Sequence, residues 1–131
     1  MPLTRISLRA GKDAAYHKAL VSGIYAAMRD TFAVPENDLF TALHEHADSA
    51  FAYDPHYLGI ARDDDLVIIQ ITANDTRDTG QKQALYTAIA GNLAADPGVR
   101  PENVLINLVE VARENWSFGN GLMPYGPPAT P

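Results

Sequence analysis

Polar and apolar positions alternate at the start of the chain. Thr4, Ile6 and Leu8 fall on one side and Leu3, Arg5, Ser7 and Arg9 on the other, the period of a β-strand from Leu3 to Leu8. Gly11-Lys12-Asp13 breaks this pattern, and Asp13 suits a helix N-cap. Leu20, Ile24, Met28 and Phe32 then form the apolar stripe of an amphipathic helix ending near Phe32, with Val21, Tyr25 and Ala27 alongside. Pro35 follows, and Asp38 to His46 reads as a second strand.

The same order recurs. Leu66 to Ala73 reads as a strand. Asp78 or Thr79 can cap a helix carrying Leu85, Ile89 and Leu93, and Asn103 to Val111 reads as a closing strand. Leu20, Ile24, Met28 and Val34 overlay Leu85, Ile89, Leu93 and Val99 at one constant offset. One inserted residue later, Pro35-Glu36-Asn37 falls on Pro101-Glu102-Asn103. Stripe, element order and tripeptide together indicate an internal duplication. The expected fold is α+β: two β-α-β units forming a four-stranded mixed sheet with two helices on one face. The 131 residues are expected to form a single domain with halves at about 1–62 and 63–131. Ala47 to Asp65 is read as turns with a short hairpin, and residues 120–131, rich in Gly and Pro, as a partly irregular tail.

The third and fourth strands are apolar on both faces, in Leu66 to Ile71 and Val104 to Val109. Two helices cover one face of such a sheet, so the other is expected to pack against further copies of the chain.

Composition narrows the partners. The formal net charge is -6, from 16 acidic and 10 basic side chains, which argues against a nucleic-acid backbone as partner. A small anion needs only one or two pocket arginines and stays possible. There is no cysteine, which removes thiolate nucleophiles, thiolate metal sites and disulfides. No long apolar run or signal-type h-region occurs, so a cytoplasmic location without membrane association is the expectation.

Pro2 is the first candidate for chemistry. Removal of Met1 ahead of a small residue would leave a free prolyl amine. An internal proline nitrogen is an amide without a proton, whereas a terminal one is a secondary amine. An α-amino group titrates near ~8, and burial beside a cation moves it towards neutrality, where acid–base catalysis is most effective. A Met-Pro start by itself is also a plain processing site. Its position matters more, because Pro2 opens a strand directly.

Several segments in order carry a resemblance. They are Pro2 opening the first strand, Phe32-Ala33-Val34-Pro35 followed by Asp38, Leu58-Gly59 with Arg62, Gln81-Lys82 opening the second helix, and Trp116-Ser117-Phe118-Gly119 before Gly121. From Pro2 to about Tyr125 the chain resembles the tautomerase superfamily, and within it the malonate semialdehyde decarboxylase-like branch. The resemblance implies a homotrimer with the amino-terminal proline as catalytic group. It implies a catalytic role for Asp38, which on residue type alone is a strand-opening carboxylate. It implies that Arg77 grips a substrate carboxylate, a task suited to the guanidinium fork; the alternative is a surface arginine. Trp116 and Phe118 match an aromatic pocket wall, a role compatible with ordinary packing. The branch usually carries a second arginine two positions before Arg77, where this chain has Asp75. Arg5, Arg9 and Arg62 are the substitutes considered.

His44 and His46 share a strand face, but spacing places no third ligand, so no metal site is expected. His17 is expected to be partly exposed. Asp63-Asp64-Asp65 is read as a solvated turn, lacking the spaced loop and closing glutamate of an EF-hand. No cofactor is expected. The reading is a tautomerase acting on a small 2-oxo acid through neutral Pro2. One alternative is decarboxylation or hydration of a 3-oxo acid through protonated Pro2. Another is a binding or structural relative without the chemistry.

Overall fold

Asp13 and Asp78 begin the two helices in the same way. Each side chain accepts a hydrogen bond from the backbone N–H three residues on, Tyr16 and Gln81 respectively. Gln81 returns the bond to the Asp78 N–H, closing a capping box. The computed structural model describes residues 2–125. The expectation of an irregular tail at residues 126–131 and the fate of Met1 lie outside the described residues.

The elements are β1 (Leu3–Arg9), α1 (Ala14–Phe32), β2 (Thr41–His46), β3 (Val67–Asn74), α2 (Thr79–Ala95) and β4 (Val104–Val111), with short 3-10 turns in the connections. The sheet order is β2-β1-β3-β4. β1 runs parallel to β2, β3 parallel to β4, and the two halves join through the antiparallel β1–β3 pair. Arg5 faces Gln70 at the middle of that seam, and the offset that overlays Leu20 on Leu85 also relates these two, so they mark a pseudo-two-fold centre.

The duplicated stripe is the core. Leu20, Ile24 and Met28 of α1 and Leu85, Ile89 and Leu93 of α2 are each at most 2% exposed. They pack with Ile6, Leu8, Val67, Ile69 and Ile71 of the central strands into one cluster. Burying each aliphatic side chain contributes about 1.5–3 kcal/mol before conformational entropy is counted. Two close helix contacts tie the halves together. Asn92 Nδ2 donates to the Gly23 carbonyl at 3.0 Å, and a Cβ on Gly23 would lie 3.0 Å from Leu93 Cδ2.

Three local expectations change. The second strand begins at Thr41 and not at Asp38. Ala33 (φ 53°) and Asn37 (φ 69°) are left-handed, and they turn the chain after α1 so that residues 38–40 form an approach to the strand. No hairpin forms in residues 47–65, where two 3-10 turns occur at Asp48–Ala50 and Tyr57–Gly59. The repeated Pro-Glu-Asn tripeptides differ in conformation. The first holds an exposed turn, and the second is a 3-10 turn whose Asn103 is 1% exposed and clasps Asp63.

The sheet face away from the helices is mixed. Leu3, Leu105 and Val109 are exposed there, but the register sets the polar row Arg5–Gln70–Asn107 between apolar ones. Asp63, Asp64 and Asp65 pair with Arg100 (2.8 Å), Arg9 (2.9 Å) and Lys12 (2.8 Å) respectively. The acidic run thus forms a surface network of ion pairs. His17 is half-buried beside Glu45. Among the described residues, no helix is long and apolar enough to cross a membrane.

Candidate active site

Pro2 is buried where the chain enters β1. The Thr4 N–H donates to the Phe40 carbonyl at 3.0 Å, which draws the approach to β2 against this end of the sheet. Pro2, Leu3, Phe40, Trp116, Ser117 and Phe118 line a cavity of about 240 Å³. Trp116 and Phe118 stack with centroids 5.3 Å apart and planes 10° apart, and Phe40 lies 6.4 Å from Phe118. Tyr125 meets Phe118 edge-on at 5.9 Å. Trp116 Nε1 donates to Asn74 Oδ1 at 2.7 Å, anchoring the aromatic wall to the last residue of β3. The resemblance points to Trp116 and Phe118. Phe40 and Asn74 carry no sequence signal of their own, because the fold alone brings them here.

Asp38, two residues before Phe40 in the chain, is 3% exposed. Its position is set by Tyr25, whose hydroxyl donates to the Pro35 carbonyl at 2.8 Å and accepts from the Asp38 N–H at 3.3 Å. Neither Asp38 carboxylate oxygen has a hydrogen-bond partner among the described residues. Burial pushes its carboxyl above the usual range, while the positive amino terminus and Arg77 pull the other way. Asp38 and Arg77 therefore act on one another electrostatically.

Arg77 follows β3 by three residues. Its Nη2 donates to the Phe32 carbonyl at 3.0 Å, and its guanidinium carbon lies 4.7 Å from the Phe32 ring centroid. Burial lowers its pKa, Arg113 lowers it further, and Asp38 raises it. Asp75 is not among the charges acting on Arg77. Its carboxyl turns to Glu110, which also binds Lys82, and a hydrogen bond with Glu110, then its like charge, raises the Asp75 pKa.

Arg5 faces the outer side of the sheet, where it lines a separate hollow of about 440 Å³ with Ser7, His44, His46 and Gln70 among others. Arg9 is committed to Asp64, and Arg62 donates to the carbonyls of Tyr57 and Ile60. None of these three is placed with Arg77. Arg113 is the cation beside it, and sequence reading did not raise it. Among the described residues no group of three or more metal-ligating side chains converges, and His46 instead lies against Phe51, 5.6 Å between centroids.

A β-α-β duplication folded as a four-stranded mixed sheet with two helices defines the tautomerase fold class, and here a buried proline lines an aromatic cavity. The family described as "Tautomerase enzyme" matches residues 38–119. The chain is 40% identical over 121 residues to the probable tautomerase YusQ of Bacillus subtilis (strain 168), covering 92% of this chain and 95% of that protein. The chain belongs to this tautomerase family. Its structure is similar to malonate semialdehyde decarboxylase, for which decarboxylase and hydratase activities are described: TM-score 0.87, 30% identity, covering 92% of this chain and 93% of the other. It shares its fold with a fused 4-OT symmetric trimer at TM-score 0.75 and 21% identity, covering 92% and 94%.

Proposed function

We propose that the protein is an amino-terminal-proline tautomerase acting on a small 2-oxo acid. The observation that carries this reading is the burial of Pro2 against an aromatic cavity, and Asp38 and Arg77, which act on one another electrostatically, support it. Met1 is removed, so the Pro2 nitrogen is a secondary amine. The apolar wall of Trp116, Phe118 and Phe40 disfavours its charged form and lowers its pKa towards neutrality. Neutral Pro2 takes the proton from the enol hydroxyl and returns it to the carbon next to the new carbonyl. Arg77 binds the substrate carboxylate and stabilises negative charge developing on the enolate oxygen. Asp38, with neither oxygen hydrogen-bonded among the described residues, holds the prolyl ammonium formed midway. Trp116 and Phe118 bind the carbon skeleton and exclude water. No step in this cycle calls for a cofactor.

The orphaned carboxylate of Asp38 favours a second reading, supported by the similarity to malonate semialdehyde decarboxylase. There Asp38 stabilises protonated Pro2, which donates a hydrogen bond to the 3-carbonyl of a 3-oxo acid. The C–C bond to the carboxylate breaks, carbon dioxide leaves, and its electron pair forms an enolate. The same site could add water to the carbonyl. The two readings need opposite charge states of one amine, so activity rises as Pro2 deprotonates in the first and falls in the second.

We further propose a homotrimer in the cytoplasm. The exposed Leu3, Leu105 and Val109 on the outer sheet face support burial against other copies.

The test is an intact mass followed by Pro2→Ala assayed on phenylenolpyruvate, 2-hydroxymuconate and malonate semialdehyde. Loss of Met1 and at least a ~100-fold fall in kcat on the preferred substrate is expected. A retained Met1, or an unchanged rate on all three, would leave the binding or structural relative as the answer.

A further inference from the structure

We propose that the hollow around Arg5 on the outer face of the sheet is a second binding site, which takes a phosphate group, free or carried by a small monoester. It shares no lining residue with the Pro2 cavity and does not depend on the chemistry proposed there.

The strand period builds the site. Arg5 and Ser7 of β1, His44 and His46 of β2, Gln70 of β3 and Asn107 of β4 all line this hollow of about 440 Å³. The register sets Arg5 beside Gln70 and Gln70 beside Asn107, while Ser7 stands level with His44. Arg5 thus has polar side chains around it from all four strands. The volume falls in the range of roughly 300–1,000 Å³ usual for small-molecule sites.

The charge pattern is unusual for a protein of net charge -6. The acids carried by the strands, Glu45 and Glu110, lie beside His17 of α1 and Lys82 of α2, so both belong to the helix side. Asp48 and Asp64, from the segment between β2 and β3, pair with Arg9 at the end of β1. Among the described residues Arg5 makes neither an ion pair nor a hydrogen bond, although Arg9, Lys12, Lys82 and Arg100 all pair with acids. His46 Nε2 is buried without a hydrogen-bond partner. Gln70 Nε2 donates to Asn107 Oδ1 at 3.4 Å, so part of the acceptor capacity of the row is already used.

The lining therefore offers a guanidinium, two imidazoles, amide N–H groups and a hydroxyl, with no carboxylate to answer them. Arg5 repels a metal cation. A carboxylate could fill the guanidinium fork, but its two oxygens leave the donors of the neighbouring strands unmet. A phosphate group carries more acceptor oxygens and nearly two negative charges at pH 7, which suits a fork flanked by further donors. A second copy packing its own outer face here brings the same bases and no strand carboxylate, so assembly increases the need for a counter-anion.

The test is equilibrium dialysis of the intact protein against inorganic phosphate and against glycerol 3-phosphate, at constant ionic strength set with potassium chloride. Wild type is expected to bind at least one of the two, and Arg5→Gln to bind it at least ~10-fold more weakly. Arg5 is exposed, so its substitution should leave the melting temperature without phosphate nearly unchanged. Arg5→Lys is expected to fall between the two, because charge survives without the fork. Tighter binding of glycerol 3-phosphate identifies a monoester as the ligand, and equal or weaker binding identifies free phosphate. No binding of either probe by wild type, or equal binding by Arg5→Gln, overturns the proposal. Loss of binding in Arg77→Gln instead of Arg5→Gln would put the anion at the candidate active site and overturn it too. An inactive Pro2 would sink the tautomerase reading without touching this result.

Discussion

Phe32 holds Arg77 twice, through its carbonyl at 3.0 Å and through its ring, 4.7 Å from the guanidinium carbon. Phe32 is the last residue of α1 and is 3% exposed, so a core residue of the first half fixes a charged residue of the second. A planar guanidinium can meet both demands at once, and a lysine ammonium cannot. Arg77→Lys is expected to lower kcat/KM at least ~10-fold while shifting the melting temperature little. Steady-state kinetics beside a thermal melt check this.

Asp38 predicts a trade between stability and activity. Its folded pKa is raised, so ionisation is harder in the folded state than in the unfolded chain. The sign follows: the folded state is penalised once pH rises through the usual carboxylate range towards the folded pKa, and the full cost is present above it. Asp38→Asn removes the buried charge. At pH 7 it is expected to stabilise the protein by about 1 kcal/mol, or ~3 °C in Tm, and to impair catalysis. The gain should vanish at pH 3. Melts across pH 3–8 measure it, and a variant less stable than wild type at pH 7 would sink the argument.

Trp116→Phe preserves a stacking ring but deletes the indole N–H that binds Asn74, which is 9% exposed. Leaving Asn74 Oδ1 without its donor costs about 1 kcal/mol and loosens the wall. KM should rise several-fold with a smaller change in kcat. A double-mutant cycle with Asn74→Ala tests the coupling, and strictly additive effects would show that the bond carries no energy.

Asn103 is a structural counterpart to these site residues. At 1% exposure it accepts from the Asp63 N–H at 3.0 Å and donates to Asp63 Oδ1 at 2.7 Å. Asn103→Ala is expected to destabilise by about 1–3 kcal/mol in urea unfolding, with activity per folded molecule unchanged. Hydrogen bonds from the Asp65 backbone and Asn103 hold the Asp63 carboxyl below its usual range. Its stabilising contribution is therefore present above the unfolded carboxylate pKa and fades as pH falls through the folded one. The deficit of the variant should narrow in acid.

Periodic burial made much of this legible. The helical stripes at Leu20, Ile24, Met28 and at Leu85, Ile89, Leu93 are written at a fixed spacing, and the capping aspartates repeat at the same offset. The beginning of β2 was not legible. Asp38 is buried while its apolar neighbours Leu39 and Phe40 are exposed, the reverse of what residue type suggests. Two left-handed residues cause that inversion, and neither Ala33 nor Asn37 is a glycine that would have announced it. Pro2 and Trp116 were legible through the resemblance. Arg113 was not, because its nearness to Arg77 arises from two strand ends brought level by parallel pairing, across 36 residues of sequence. Asp75 misled for a related reason: two positions before Arg77 in sequence, it belongs electrostatically to Glu110 on the neighbouring strand.

The pseudo-two-fold centre at Arg5 and Gln70 makes β3 the counterpart of β1, yet β3 is entered through Asp65 and Leu66 in continuous chain. A peptide nitrogen there has no basicity to offer, and no point mutation can give it any. The second entrance is thus barred from the chemistry proposed for the first by connectivity alone. The clasp of Asp63 by Asn103 and Arg100 lies at this entrance instead. Fusing two copies leaves one door on a hinge and turns the other into a wall.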